Sequence, residues 1–276
     1  MDIQKVVAQL VDSIKDVEGY LSEREAALVA LAAVVPTSPG QILEIGSFKG
    51  KSTILLSKGA QLSDKALVTA IDPLTAPSHT DPSLGKDLSS ENDFFNNLKI
   101  HGVTDNVDFH QKYSYELKNK WTSPIRLLWI DGDHTYPGAK LDFDLFSPYL
   151  SDGAIIMMDD VLNKFSGPLR VFVENIVLSS NFGAMGICGS IGWAQYHSDP
   201  AKVAPYRDEK LRLYKQLSRL LPYYLLDDLG RSKNKNAFEK LRFQFNRART
   251  PHGEILPEEW IEKVSAKNKM NYRVID

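Results

Sequence analysis

Cysteine is almost absent: Cys188 is the one thiol in 276 residues. That excludes an intrachain disulfide and leaves no cysteine set for a zinc cluster or a secreted, stapled framework. Also missing is any run approaching eighteen uninterrupted apolar residues, so no stretch reads as a membrane-spanning helix. Charge of one sign is lacking too. Lys and Arg number 33 against 35 Asp and Glu, and the pI is near 6.3, which gives no global pull toward nucleic acid or an anionic membrane. The opening MDIQKVVAQLVDSIKD is charged and amphipathic, unlike a secretory leader. These absences predict a cytoplasmic protein with neither nucleic acid nor a membrane as partner. What is present, 43% hydrophobic and 25% charged residues, suits one large globular domain or a domain plus an extension.

Periodicity divides the chain into three parts. Over residues 3–33 apolar side chains recur at helical spacing, predicting two helices broken near Glu18-Gly19-Tyr20. After the turn PTSPG, the runs QILEIG, ALVTAID, NVDFHQ, IRLLWID and GAIIMMDD read as strands, with helices predicted at 51–60, 91–101, 137–147 and 168–180. Strands apolar on both faces that alternate with helices predict an α/β fold: a Rossmann-like, doubly wound, mostly parallel sheet of seven strands. FGAMGICG and IGWAQYH, with Gly189-Ser190 between them, supply an antiparallel hairpin at one edge. From residue 199 the texture is helical and charged. The expected division is therefore helices over 1–35, a core over 36–198 and a helical extension over 199–276.

The first strand runs into GSFKGKST, residues 46–53, which looks like a phosphate-binding loop. Such a loop has four residues between its first glycine and the Gly-Lys-Ser/Thr, enough to wrap backbone N–H groups around a phosphate. Only Ser47, Phe48 and Lys49 intervene here, and Glu44 precedes Gly46, where a carboxylate would repel phosphates. Asp72, after the second strand, stands where an acid can accept both hydroxyls of a ribose. A Gly-x-x-x-Gly turn, an acid before it and a ribose-binding acid beside it resemble the S-adenosylmethionine site of class I methyltransferases. The candidate donor-binding residues are Glu44, Gly46, Ser47, Gly50, Ser52 and Asp72. The competing explanation of the same residues is a structural acid beside an ordinary helix start.

The fourth strand ends in Ile130-Asp131-Gly132-Asp133-His134-Thr135-Tyr136 and the fifth in Met158-Asp159-Asp160. If the two strands are neighbours, Asp131, Asp159 and Asp160 meet at one sheet edge, an all-oxygen set suited to Mg²⁺, Ca²⁺ or Mn²⁺. Asp residues that cap helices are the plainer reading.

The run LLWIDGDHTYPGAKLDFDLFSPYLSDGAIIMMDD resembles metal-dependent small-molecule O-methyltransferases of the macrocin O-methyltransferase type, methyltransferase family 24, over about residues 22–197. The resemblance implies Mg²⁺ or another divalent cation on Asp131, Asp159 and Asp160, with Asp131 also bordering the donor. It implies a general base at His134 or, as in some relatives, at Asp133. The unperturbed pKa of histidine favours His134. It further implies S-adenosylmethionine as methyl donor and a small-molecule hydroxylated acceptor, a sugar or a natural-product phenol. Where relatives carry Gly-Asp-Ser after the third strand against adenine, this chain has Lys112-Tyr113-Ser114, so only Ser114 carries over.

Two other functions compete. A small-molecule kinase or NTPase would use GKST, and a non-catalytic module would bind the donor without turnover. Trp129 and Trp193 read as core. His79 is expected at the surface, Tyr136 and Lys164 beside the pocket or in structural roles, and the helical extensions offer surfaces for a homo-oligomer.

Overall fold

The computed structural model describes residues 2–75, 89–163, 165–228 and 237–265. The amino-terminal helices start where capping residues dictate. Asp2 accepts from the backbone of Lys5 (3.1 Å) to open α1 (Ile3–Asp12), and the reciprocal Ser22–Glu25 capping box opens α2 (Glu23–Val34). The break between them is wider than Glu18-Gly19-Tyr20, because Ser13 Oγ donates back to the Leu10 carbonyl (2.9 Å) and ends α1 early.

Strands and helices then alternate: β1 (Gln41–Ile45), α3 (Lys51–Gln61), β2 (Val68–Ile71), α4 (Glu91–Ile100), β3 (Val107–His110), β4 (Ile125–Ile130), α5 (Tyr136–Phe146), β5 (Leu150–Met158) and α6 (Ser166–Val171). The last predicted helix starts two residues earlier than expected and widens into a π-helical stretch over Phe172–Val177. The hairpin β6 (Phe182–Cys188) and β7 (Ile191–Tyr196) follows, then α7 (Arg207–Leu217), α8 (Leu221–Asp228), α9 (Ala237–Ala248) and α10 (Pro257–Ser265).

The seven strands lie in the order β3-β2-β1-β4-β5-β7-β6. The first five are parallel, and β7 runs antiparallel to both β5 and β6. This is the expected Rossmann-like sheet with an antiparallel edge. Ile42, Trp129, Met157 and Trp193 pack into one core with α1, α2 and α3, while Leu43, Ile130, Ile156 and Met158 face a second core with α5, α6 and α7. Trp260 of α10 is fully buried against Trp193 (ring centroids 4.8 Å), and Val264 O accepts from Gln195 Nε2 (3.1 Å).

Register matters most for the site. Ile45 pairs with both Ile71 and Ile130, and Ile130 pairs with Met158, so β1, β2, β4 and β5 end in one row. Four backbone bonds carry that row one residue further: Gly46 N to Ile71 O, Asp72 N to His110 O, Asp131 N to Ile45 O and Asp159 N to Ile130 O, at 2.8–3.2 Å. The sheet reverses direction of growth between β1 and β4, where ligands of open α/β sheets bind.

Candidate active site

Glu44, Gly46, Asp72, Asp131, Asp159 and Asp160, chosen from sequence, converge on this edge. Gly46 sits at the crevice with φ +85°, and a Cβ there would lie 2.0 Å from the Asp131 carbonyl oxygen. Only glycine permits this approach of β1 to β4. Gly50, at φ +86°, turns the loop into α3, its N–H donating to Ser47 O (2.7 Å). Phe48 also lies in the left-handed region (φ +46°), held by the loop's bonds and by its ring stacked on Tyr20.

The loop is braced by Asp72. Its Oδ2 accepts from the N–H groups of Ser47 (2.7 Å) and Phe48 (2.8 Å), and its Oδ1 from Leu74 (2.6 Å). A carboxylate has about four lone-pair sites, so these three N–H groups leave one open. Burial raises the Asp72 pKa, against the pull of those three N–H groups.

Glu44 is buried completely. Its Oε2 accepts from Ser47 Oγ (3.1 Å) and Thr53 Oγ1 (2.5 Å), and Ser52 adds a further hydrogen bond. The other oxygen, Oε1, is buried and makes no hydrogen bond of good geometry among the described residues. Desolvation lifts the carboxyl to about 7, with the charge of Asp131 contributing, although the three hydroxyls oppose the shift. Such a group gains from a cation beside it.

The acid cluster lies next door. Burial pushes Asp131 up to about 6 and Asp159 well above the usual range, the second also through the charges of Asp131 and Asp160. His134 Nε2 stands 3.3 Å from Asp131 Oδ1 and 3.4 Å from Asp160 Oδ2. Burial disfavours its cation, yet the bond to Asp131 and the charges of Asp131, Asp160 and Asp159 outweigh that and hold the imidazole at about 9. The Phe165 ring stacks on the imidazole at 4.5 Å, and Nδ1 is buried without a partner among the described residues. Among those residues, no three His, Cys, Asp or Glu side chains have the arrangement of a metal centre. The donor chemistry nevertheless fits a hard cation: three carboxylates brought together with one imidazole against them.

The two base candidates separate. Asp133 is exposed, and its Oδ1 accepts from the backbone of Thr135 (2.8 Å) at the start of α5, over Gly138. His134 alone reaches the cluster. Ser114 Oγ donates to Asp142 Oδ1 (2.5 Å), a buried acid of α5 that desolvation lifts to about 7. Sequence reading missed Asp142, Phe165 and Ser190, whose hydroxyl lies 2.8 Å from Asp159 Oδ1. The apolar neighbours of Asp142 on α5 gave the one available signal, a charge on a buried helix face. Tyr136 donates to Glu174 (2.8 Å) under the guanidinium of Arg170. His79 and Lys164 lie outside the described residues.

Residues 43–161 match the family model described as a methyltransferase domain. The protein R132 of Acanthamoeba polyphaga mimivirus is 31% identical over 147 residues, covering 51% of this chain and 61% of that one, so the chain spans under two thirds of its relative. Among solved structures, a cofactor-bound protein from MTB aligns with TM-score 0.52 at 16% identity, over 72% of this chain and 91% of that one. A methyltransferase from Geobacter sulfurreducens aligns with TM-score 0.50 at 15% identity, over 72% and 90%. At these identities the likeness shows a shared fold.

Proposed function

We propose that the chain is an S-adenosylmethionine-dependent O-methyltransferase acting on a hydroxyl of a small molecule, a sugar or a natural-product phenol. The carrying observation is the row at the carboxyl edge, where Gly46 abuts Asp131 between the loop acid Asp72 and the acids that follow β5. The methyltransferase-domain match over residues 43–161 supports it. Against a kinase stands the loop itself: the N–H groups of Ser47 and Phe48 are spent on Asp72 instead of facing a phosphate.

In this reading Gly46 admits the donor to the backbone, the remaining lone pair of Asp72 accepts from its ribose, and buried Glu44 favours its positive charge. Asp131, Asp159 and Asp160 would hold a divalent cation. When bound, that cation supplies Lewis acidity toward the acceptor hydroxyl and positive charge against the carboxylates. His134, favoured over Asp133 by its place in the cluster, takes the hydroxyl proton in its neutral form, which positive charge on the neighbouring carboxylates would favour over the imidazolium. The oxygen forms its bond to the methyl carbon as the carbon–sulfur bond breaks, and the electron pair stays on sulfur. The fold's share is alignment of oxygen, carbon and sulfur.

The test is transfer of labelled methyl from S-adenosylmethionine to a panel of vicinal diols and catechols. His134→Ala is expected to lower turnover by about 10²–10⁴-fold with donor affinity kept. Full turnover in that variant removes His134 as base. Donor binding without transfer to any acceptor favours the non-catalytic module.

A further inference from the structure

One hydroxyl joins the acid cluster to the amino-terminal helices. Ser190, in the turn between β6 and β7, places its Oγ 2.8 Å from Asp159 Oδ1 and 2.8 Å from Glu25 Oε1. Its backbone N–H also donates to that Glu25 oxygen (2.6 Å). The other Glu25 oxygen accepts from the backbone of Ser22 (2.8 Å) and from its hydroxyl, which closes the α2 capping box. Glu25 is 7% exposed, so it serves the helix start and the turn at once, from inside the protein.

The turn cannot easily move. Gly189 has φ +61°, and a Cβ on it would fall 2.2 Å from Glu25 Oε1, so the chain closes over the glutamate only with glycine there. Leu162 N donates to Ser190 O (3.2 Å) from the segment after β5, and Gly189 N donates to His252 O (3.0 Å). Ser190 is thus clamped from α2, from the chain beyond Asp160 and from the carboxyl-terminal part. A serine hydroxyl carries one hydrogen. That of Ser190 stands at 2.8 Å from Glu25 Oε1 and from Asp159 Oδ1 alike, so the one hydroxyl is shared between the two carboxyls and ties the position of Asp159 to that of Glu25.

We propose that Ser190, clamped by Glu25, is a positioning residue for Asp159, fixing its carboxyl for a divalent cation. The inference rests on the cation reading above. Side chains that orient a metal ligand commonly govern affinity nearly as strongly as the ligand.

The full chain is titrated with Mn²⁺, followed by electron paramagnetic resonance, and separately with S-adenosylhomocysteine by calorimetry. Ser190→Ala is expected to weaken Mn²⁺ binding about tenfold or more and leave S-adenosylhomocysteine binding unchanged. Ser190→Thr, which keeps the hydroxyl, should restore most of the loss. Adding Glu25→Ala to Ser190→Ala should cost little further Mn²⁺ affinity, because Glu25 acts through the serine. Wild-type Mn²⁺ affinity in Ser190→Ala overturns the proposal, as does equal loss of both ligands or failure of threonine to rescue. A wild-type chain that binds S-adenosylhomocysteine but no Mn²⁺ sinks the cation reading itself, a result distinct from failure of the serine alone.

Discussion

At the scale of single residues, the site is a concentration of buried acid. Glu44 and Asp142 are lifted to about 7 and Asp131 to about 6, all mainly by desolvation. The folded chain therefore holds protons that the unfolded chain releases near its ordinary carboxylate values, and stability falls as pH rises through 6–7. We expect the melting temperature of the cation-free protein to drop between pH 5 and pH 8, and Asp142→Asn to flatten that slope in a calorimetric series. An unchanged slope would show that Asp142 is ionised in the fold. His134, held at about 9, predicts a second pH effect: with the divalent cation limiting, the methyl-transfer rate should rise with pH toward 9, and His134→Ala should abolish that rise. Gly46→Ala should eliminate S-adenosylhomocysteine binding, since its Cβ would enter the Asp131 carbonyl. Calorimetric binding equal to wild type would contradict that placement. Residue types were the legible part of the site, because glycine after a strand and acids at strand ends announce themselves. Partners were not: the bonds from Ser47 and Phe48 to Asp72 depend on how the loop folds back over β2.

At the scale of elements, hydrophobic periodicity gave the strands and their order of appearance, because strands buried on both faces leave uninterrupted apolar runs such as IRLLWI. Helix ends were less legible, since they depend on capping contacts such as Ser13 to Leu10. The π-helical stretch over Phe172–Val177 leaves no mark in a pattern of apolar spacing. Least visible was the service of α10. Trp260 reads as one aromatic in a charged helix, yet it fills the core against Trp193. Trp260→Ala should cost about 3–5 kcal/mol of stability in denaturant unfolding. A loss under 1 kcal/mol, roughly what a surface change gives, would mean that α10 is not docked in solution.

At the scale of the whole molecule, the account turns on which ligand the sheet's carboxyl edge accepts. The sheet order and the common strand-end row bring the donor loop and the acid cluster side by side, so the two readings of GSFKGKST make opposite demands on one place. A phosphate would meet Glu44 and loop N–H groups already committed to Asp72, whereas a cationic sulfonium would meet a buried acid with one oxygen unpartnered among the described residues. The most direct measurement is calorimetric titration of the purified chain with S-adenosylhomocysteine and, separately, with ATP, each with Mg²⁺ and with EDTA. The account predicts saturable binding of S-adenosylhomocysteine and no heat from ATP. Saturable ATP binding with none of S-adenosylhomocysteine would contradict it and return the loop to the phosphate reading.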